Sequence, residues 1–279
     1  MLQNGYVPCS FRISMAGMDV EFNTKNDVIK AYLSRPDDGM RHPGIVVIHE
    51  IFGLDDHIRS VADRISREGY VALAPDLFSS HELSAKITRE GILESMKFIM
   101  SIPPEKQRDD SYRNSLLNSM PEEKRRIMSS TYSALFVNRP TQLLTEYLEY
   151  AVDYLKGIGV TSVGSVGFCF GGGMSANLGC TGKVDATVIF YGENPDPIDK
   201  VKGMKSVLGL YAGEDHRITS RVPELLAKLI EFSIPVTIKV YPGAYHAFFN
   251  DTRPQIYNEA AAKDAWNMML YFFRTQLGP

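Results

Sequence analysis

The sequence predicts an α/β fold: a mostly parallel central sheet with helices on both faces and a helical insert after the second central strand. Three observations point there. Short runs dense in apolar and β-branched residues alternate with segments whose apolar residues recur at helical spacing. Those runs are apolar throughout rather than at every second position, as expected of strands covered on both faces. Residues 81–140 break the alternation, with helical spacing and no strand-like run.

Taken in order, residues 11–34 alternate polar and apolar side chains (Phe11, Ile13, Val20, Phe22, Val28, Ile29, Tyr32), with breaks at Ala16-Gly17 and Lys25-Asn26. They read as short antiparallel strands ahead of the main sheet. The run 44–50, GIVVIHE, predicts the first central strand, and 55–68 a helix with Ile58, Val61, Ala62 and Ile65 on one face, ending before Gly69. YVALAPDLF (70–78) predicts the second central strand, stopped at Pro75. Within 81–140, Ile92, Met96 and Ile99 mark a helix, Pro103-Pro104 breaks it, and Pro121 opens another. A helix from Pro140 carries Leu144, Tyr147, Leu148, Ala151, Tyr154 and Leu155. Then follow a strand at 162–168, a helix at 170–179, strands at 186–192 and 206–213, a helix at 221–233, a strand at 236–243 and a helix at 257–276. The expected organisation is one domain over 1–279, with 81–140 as an inserted cap.

Composition excludes some functions. Among 279 residues, 44% are hydrophobic and 23% charged, with a net charge of −3. This is an ordinary globular balance without the basic stripe that phosphate neutralisation needs, so no nucleic-acid partner is expected. No stretch approaches the ~18 apolar residues of a membrane span, and the start MLQNGYVPCSF lacks a basic region followed by an apolar run. The three cysteines, Cys9, Cys169 and Cys180, form neither a disulfide framework nor a metal knuckle. A cytoplasmic setting is the natural expectation, and inert buried thiols are the ordinary reading of all three.

One of them stands in a chemical context. Gly167-Phe168-Cys169-Phe170-Gly171-Gly172 follows a predicted strand and opens a predicted helix. That is the pattern of a nucleophile elbow, in which small flanking residues permit a sharp strand-to-helix turn that lifts the central side chain off the sheet. The helix N-terminus favours negative charge at that point. A phosphate-binding loop is the competing reading, but the segment lacks the G-x-G-x-x-G register and the Lys-Ser/Thr ending. Asp215, in Gly213-Glu214-Asp215, and His246, in Gly243-Ala244-Tyr245-His246, each follow a later strand. Nucleophile, acid and then His is the chain order of the α/β-hydrolase fold. His would move the nucleophile's proton and the carboxylate would orient the imidazole. His216 abuts Asp215 and reads as a solvated loop residue. His49-Glu50 at a strand end invites a zinc reading, but H-E-x-x-H needs a second His where this chain has Gly53. No metal and no cofactor are expected. In this fold that position supplies an oxyanion-hole amide, so the backbone N–H groups of Ile51 and Phe170 are the expected pair.

With these residues assembled, the sequence resembles the dienelactone hydrolase family. The resemblance rests on GIVVIHEIFGL (44–54), VALAPDLF (71–78), VGFCFGGG (166–173), YAGEDHRI (211–218) and YPGAYHAFFND (241–251). It spans roughly 15–80 and 140–275 and leaves the insert unaccounted for. It implies a Cys-His-Asp triad of Cys169, His246 and Asp215, and a further glutamate at Glu50 that controls when the thiol ionises; the plain alternative for Glu50 is a carboxylate capping a nearby helix. The chain departs from the family where dienelactone-specific members hold the substrate carboxylate with arginines. Asp76-Leu77-Phe78 runs into Ser79-Ser80, His246 into Ala247-Phe248-Phe249-Asn250, and Arg253 is out of register. An uncharged or differently held ester fits better. Phe52, Phe78, Phe170, Tyr191 and Phe248 are candidates for an apolar pocket, although aromatics mostly serve the core.

The reading these residues favour is a hydrolase of small carboxylic esters or lactones acting through a thioacyl-enzyme. A second reading puts the same site to work on a phosphotriester or haloacid; Cys169 in place of an aspartate argues against the haloacid route. A third is a non-catalytic binding protein that keeps the fold. A missing triad member would mark that case, and none is missing.

Overall fold

The computed structural model describes residues 15–106 and 109–278. Cys9 and the expected strand positions Phe11 and Ile13 lie outside the described residues. Two antiparallel strands come first, β1 (Met15–Asn23) and β2 (Val28–Pro36). The break expected at Lys25-Asn26 falls between them, but the one expected at Ala16-Gly17 does not exist. Gly17 lies inside β1, paired with Ser34, and a Cβ there would meet the Tyr32 hydroxyl at 2.0 Å. It is a close-approach glycine rather than a turn.

The parallel core follows: β3 (Gly44–Ile48), α1 (Asp56–Arg67), β4 (Val71–Pro75), then, after the insert, α6 (Thr141–Gly157), β5 (Val163–Phe168), α7 (Phe170–Cys180), β6 (Ala186–Phe190), β7 (Val207–Ala212), the short α8 (His216–Thr219), α9 (Val222–Glu231), β8 (Val236–Tyr241) and α10 (Glu259–Leu277). Between β4 and α6 the chain is helical: α2 (His81–Lys86), α3 (Arg89–Ser101), α4 (Asp110–Ser119), α5 (Glu122–Tyr132) and a π-helical turn over Ser133–Val137. The eight strands stand in the order β1-β2-β4-β3-β5-β6-β7-β8, and every pair from β4 to β8 is parallel. This is the α/β-hydrolase arrangement, so the carboxyl ends of β3, β5, β6, β7 and β8 share one edge.

Both faces of the sheet are covered because successive strand residues point opposite ways. Ile45 and Val47 of β3 join the layer under α1 and α10, with Ile58, Val61, Ile65, Met269 and Phe273. Val46 and Ile48 join the other layer, with Leu144, Leu148, Ala151 and Leu155 of α6 and Met174 of α7. Ends are capped by the expected chemistry: Asp55 accepts from the Ile58 amide at the start of α1 and Asn258 from the Ala261 amide at the start of α10.

The helical segment between β4 and α6 has a small core of its own, Phe98, Ile102 and Met128 with Tyr112 and Leu116 around them. Leu83, Ile87, Ile92 and Leu135 tie it to the main core. α3 and α5 pack closely where Gly91 faces Thr131: a Cβ on Gly91 would lie 2.2 Å from Oγ1 of Thr131. By contrast α4 buries no residue. Among the described residues, no helix is long and apolar enough to cross a membrane.

Leu148 has no exposed surface and joins α6 to the layer that includes Val46 and Ile48. Leu148→Ala should cost about 2–5 kcal/mol of unfolding free energy, transfer and cavity together. Urea denaturation measures this; a loss below about 1 kcal/mol would show that α6 is not anchored as described.

Candidate active site

The site begins with backbone crowding. β5 ends at Phe168 and α7 starts at Phe170, so Cys169 alone makes the turn, at φ 56 and ψ −117. A non-glycine residue is disfavoured there and needs its surroundings to hold it. They do. The Cys169 amide donates to the Phe190 carbonyl at 3.1 Å, and its carbonyl accepts from the Gly172 and Gly173 amides at 3.0 and 3.3 Å. The turn closes only because its flanks lack Cβ atoms: one on Gly167 would stand 1.9 Å from the Gly171 carbonyl oxygen, and one on Gly171 would stand 2.3 Å from that of Ile48. Four non-glycine residues have positive φ among the described residues, and three of them, Cys169, Tyr191 and Ala247, lie in or beside this region.

The neighbouring loops are fastened to each other before they carry chemistry. Beyond the last β7–β8 pair, Ala212 opposite Tyr241, the Gly213 amide donates to the Tyr241 carbonyl at 2.9 Å and the Glu214 amide to the Ala244 carbonyl at 3.0 Å. Asp215 and His246 are thereby brought side by side. Oδ2 of Asp215, with its side chain 8% exposed, accepts a short hydrogen bond from Nδ1 of His246. Asp215 makes no side-chain cap to α8, which leaves its carboxylate for the imidazole. Among the charges that act on the ring is that of Cys169 when its thiol is ionised. Burial opposes a charge on His246. The negative charge Cys169 carries when ionised, the hydrogen bond donated to Asp215, and the Asp215 charge outweigh it and raise the imidazole to about 10. The other described thiol, Cys180, is pushed up to about 12 by burial and lies at the far end of α7. His216 is exposed at the start of α8.

Glu50 follows β3 and is 2% exposed. Its Oε2 accepts from Nδ2 of Asn250 at 2.8 Å, while Oε1 has no hydrogen-bond partner among the described residues. It caps no helix; α1 is capped by Asp55. Burial raises its carboxyl above the ordinary range, opposed by the Asn250 hydrogen bond and the charges of His57, His246 and Arg253. His49 beside it is wholly buried and structural. Nδ1 meets the Glu50 carbonyl at 2.6 Å and Nε2 accepts from the Leu77 amide at 3.1 Å, which assigns the proton to Nδ1. Burial keeps this ring neutral. It stacks on Phe170 with centroids 5.8 Å apart and meets Phe78 edge-on at 4.8 Å. His49 therefore fixes the turn that carries Ile51, closed by the Gly53 amide on the Glu50 carbonyl at 3.3 Å. The Phe170 amide is the first of α7 and, like all first-turn amides, lacks an acceptor within its helix.

The candidate pocket aromatics separate. Phe52 is half-buried beneath the Arg253 guanidinium, 5.5 Å from its ring centre, so Arg253 reaches the site although it is out of register. Phe78 and Phe170 pack together at 5.5 Å. Tyr191 lies against the His246 ring at 5.1 Å; burial first, then the charges of Glu50 and Cys169, hold its hydroxyl protonated. Phe248 has no exposed surface and is wedged among Phe190, Tyr191 and Tyr241. From the end of the helical insert, the Arg139 guanidinium stands 5.4 Å over the Phe170 ring, and its Nη1 donates to Glu193 at 3.0 Å. A cavity of about 1000 Å³ opens along α6 and α7 past Gly173 and Met174, and Cys169 is not among its lining residues. Among the described residues no cluster of three or more metal-ligating side chains forms.

Sequence reasoning missed Asn250 and His57. His57 shares the face of α1 that carries Val61 and Ile65, a helical spacing that was the signal able to place it inside. Asn250 was legible only as an absent arginine; its partner could not be read from spacing.

A buried carboxyl that favours its proton is a stability cost once pH exceeds the ordinary carboxylate range near 4.5. The unfolded chain ionises freely there and the folded one does not, so stability from this group falls as pH rises through the folded value. Glu50→Gln should therefore raise the melting temperature at pH 7 by roughly 2–4 °C, for about 1 kcal/mol, and the gain should shrink towards pH 4. A gain equal at both pH values would contradict the burial argument.

The comparisons with known proteins agree with this frame. A sequence model of the dienelactone hydrolase family matches residues 29–277. A protein of Saccharolobus solfataricus named "Putative carboxymethylenebutenolidase" is 36% identical over 261 residues, covering 92% of this chain and 97% of that protein. Among solved structures, a dienelactone hydrolase homologue from Klebsiella pneumoniae superposes with a TM-score of 0.72 at 24% identity, covering 93% of this chain and 98% of the other. A dienelactone hydrolase-like promiscuous phosphotriesterase, P91, from metagenomic libraries superposes at 0.71 with 20% identity, covering 94% and 98%; these two show the fold. The matched family spans both halves of the parallel sheet, from β2 to the end of α10, and the chain belongs to the dienelactone hydrolase family.

Proposed function

We propose that the protein hydrolyses small carboxylic esters or lactones, with Cys169 as nucleophile, His246 as general acid–base and Asp215 as the carboxylate that orients it. The observation that carries this reading is the strained Cys169 at the strand-to-helix turn together with the hydrogen bond that His246 donates to the Asp215 carboxylate, the Cys169 charge acting on the same imidazole. The Cys169 thiolate attacks the acyl carbon. The developing oxyanion takes hydrogen bonds from the Ile51 and Phe170 amides, whose positions are fixed by His49 and by the start of α7. Collapse expels the alcohol with a proton from His246 and leaves a thioacyl-enzyme. Water, deprotonated by His246, then adds to the thioester and releases the acid.

Glu50 is read as the group that accepts the thiol's proton when substrate enters, a role that rests on the family resemblance and suits a buried carboxyl with one free oxygen. A thiol kept protonated between turnovers resists oxidation. Residues 81–140 are read as a cap, supported by the contact of Arg139 with the Phe170 ring. The partner is a small-molecule ester or lactone. An uncharged substrate is favoured because Asn250 stands after the nucleophile's histidine and is already engaged with Glu50.

A panel of esters graded by acyl and alcohol size, with an aryl phosphotriester in parallel, tests this on wild type and Cys169→Ala. Ester turnover should fall by at least about a thousandfold in the variant, and Cys169→Ser should keep a weak residue. Ester turnover that survives in Cys169→Ala would overturn the assignment, and phosphotriester turnover exceeding that of every ester would overturn the substrate class.

A further inference from the structure

A buried histidine outside the proposed triad shares its anchoring segment with Glu50. His57 is the second residue of α1, with its side chain 3% exposed. Nδ1 lies 3.2 Å from Oδ1 of Asp251, and the ring meets Phe249 edge-on at 6.3 Å. Its Nε2 is buried without a hydrogen-bond partner among the described residues, and so is Oε1 of Glu50. The two side chains are held by consecutive residues: Asn250 donates to Glu50, and Asp251 pairs with His57. A buried polar atom left unpaired costs about 1–3 kcal/mol, so two on side chains held by the same short segment ask for a joint explanation.

The groups facing each side chain define what they can do. Glu50 accepts from Asn250, the positive charges of His57, His246 and Arg253 act on its carboxyl, and its own charge acts on the Tyr191 hydroxyl. His57 is paired with Asp251, its charge when protonated acts on Glu50, and the Asp251 charge acts in turn on Arg64 of α1. With Nδ1 engaged by Asp251, Nε2 is the nitrogen that changes from lone pair to N–H when the ring takes up a proton.

We propose that His57 is a positioning residue for Glu50: anchored by Asp251, it turns Nε2 towards the buried carboxyl and sets the pH at which Glu50 gives up its proton. A protonated ring stabilises the Glu50 carboxylate and readies it to accept the thiol's proton; without that ring the carboxyl holds its own proton to higher pH. The proposal rests on the Proposed function for the consequence at Cys169, but the coupling between His57 and Glu50 stands on its own.

The test separates the two. The carboxyl carbon of Glu50, assigned through its loss in Glu50→Gln, is followed by ¹³C NMR against pH in wild type, His57→Gln and Asp251→Asn. In parallel, the pH at which iodoacetamide labels Cys169 is recorded for each. His57→Gln should raise the proton affinity of Glu50 about threefold or more, and Asp251→Asn should move it the same way by less. Labelling of Cys169 should follow both shifts. Asp251, with its side chain 55% exposed, is a substitution the fold tolerates if His57→Gln does not fold. A Glu50 titration unchanged in Asp251→Asn and in any folded His57→Gln overturns the proposal. A titration that moves while labelling does not leaves the His57–Glu50 coupling in place and removes the role of Glu50 at the thiol.

Discussion

Everything at this site depends on how tightly the chain is folded between β5 and α7. The backbone of Gly167–Gly172 runs so close to the carbonyls of Ile48 and Phe190 that no Cβ fits on its glycines, and Cys169 is left to take the unfavourable dihedral. That crowding gives the thiol its direction. A residue relaxed into the strand or the helix would lie along the sheet or the helix surface; the strained one stands off the edge, beside a helix N-terminus. The same edge collects the ends of β3, β7 and β8, so the Asp215 and His246 loops arrive together and are pinned by two backbone hydrogen bonds. The parallel sheet supplies the edge, and its close-packed faces hold the strain.

Electrostatics then sorts three titratable groups of the site into different states. His49 is neutral because burial dominates and both of its nitrogens are committed to backbone. His246 is pushed towards its charged form by the Cys169 charge once the thiol ionises and by the hydrogen bond and charge of Asp215. Glu50 has one oxygen bonded and one free, and burial favours its proton. Groups of one or two chemical types are thus separated by their neighbours, which is how a site at neutral pH holds both an acid and a base. The proposed link to His57 extends that pattern to a fourth group, on the helix that follows the Ile51 turn.

Much of the fold was legible in the sequence because the parallel strands are short, continuous and apolar, and the helices between them carry clear one-sided spacing. The positions of Cys169, Asp215 and His246 at strand ends could be read for the same reason: a strand end in this architecture has only one edge to reach. Gly17 was misread because a glycine admitted for close approach to Tyr32 leaves the same mark in sequence as one that makes a turn. Phe248 and Phe52 illustrate a second limit. Both are aromatics near the site, yet one is sealed in the core and the other is half-exposed beneath Arg253, a difference decided by packing from distant segments. The partners of Glu50 were hidden for that reason too, since Asn250 lies 200 residues further along the chain.

The central claim is that acyl transfer passes through the sulfur of Cys169. Mixing the wild-type protein with an activated ester, quenching in acid within the first turnovers and mapping the digest by mass spectrometry tests it directly. The account predicts an added mass equal to the acyl group on the peptide that contains Cys169, labile to hydroxylamine as a thioester is. Turnover of the same ester with no such adduct, when the quench is fast enough to trap it, or with the acyl group on another residue, would contradict it.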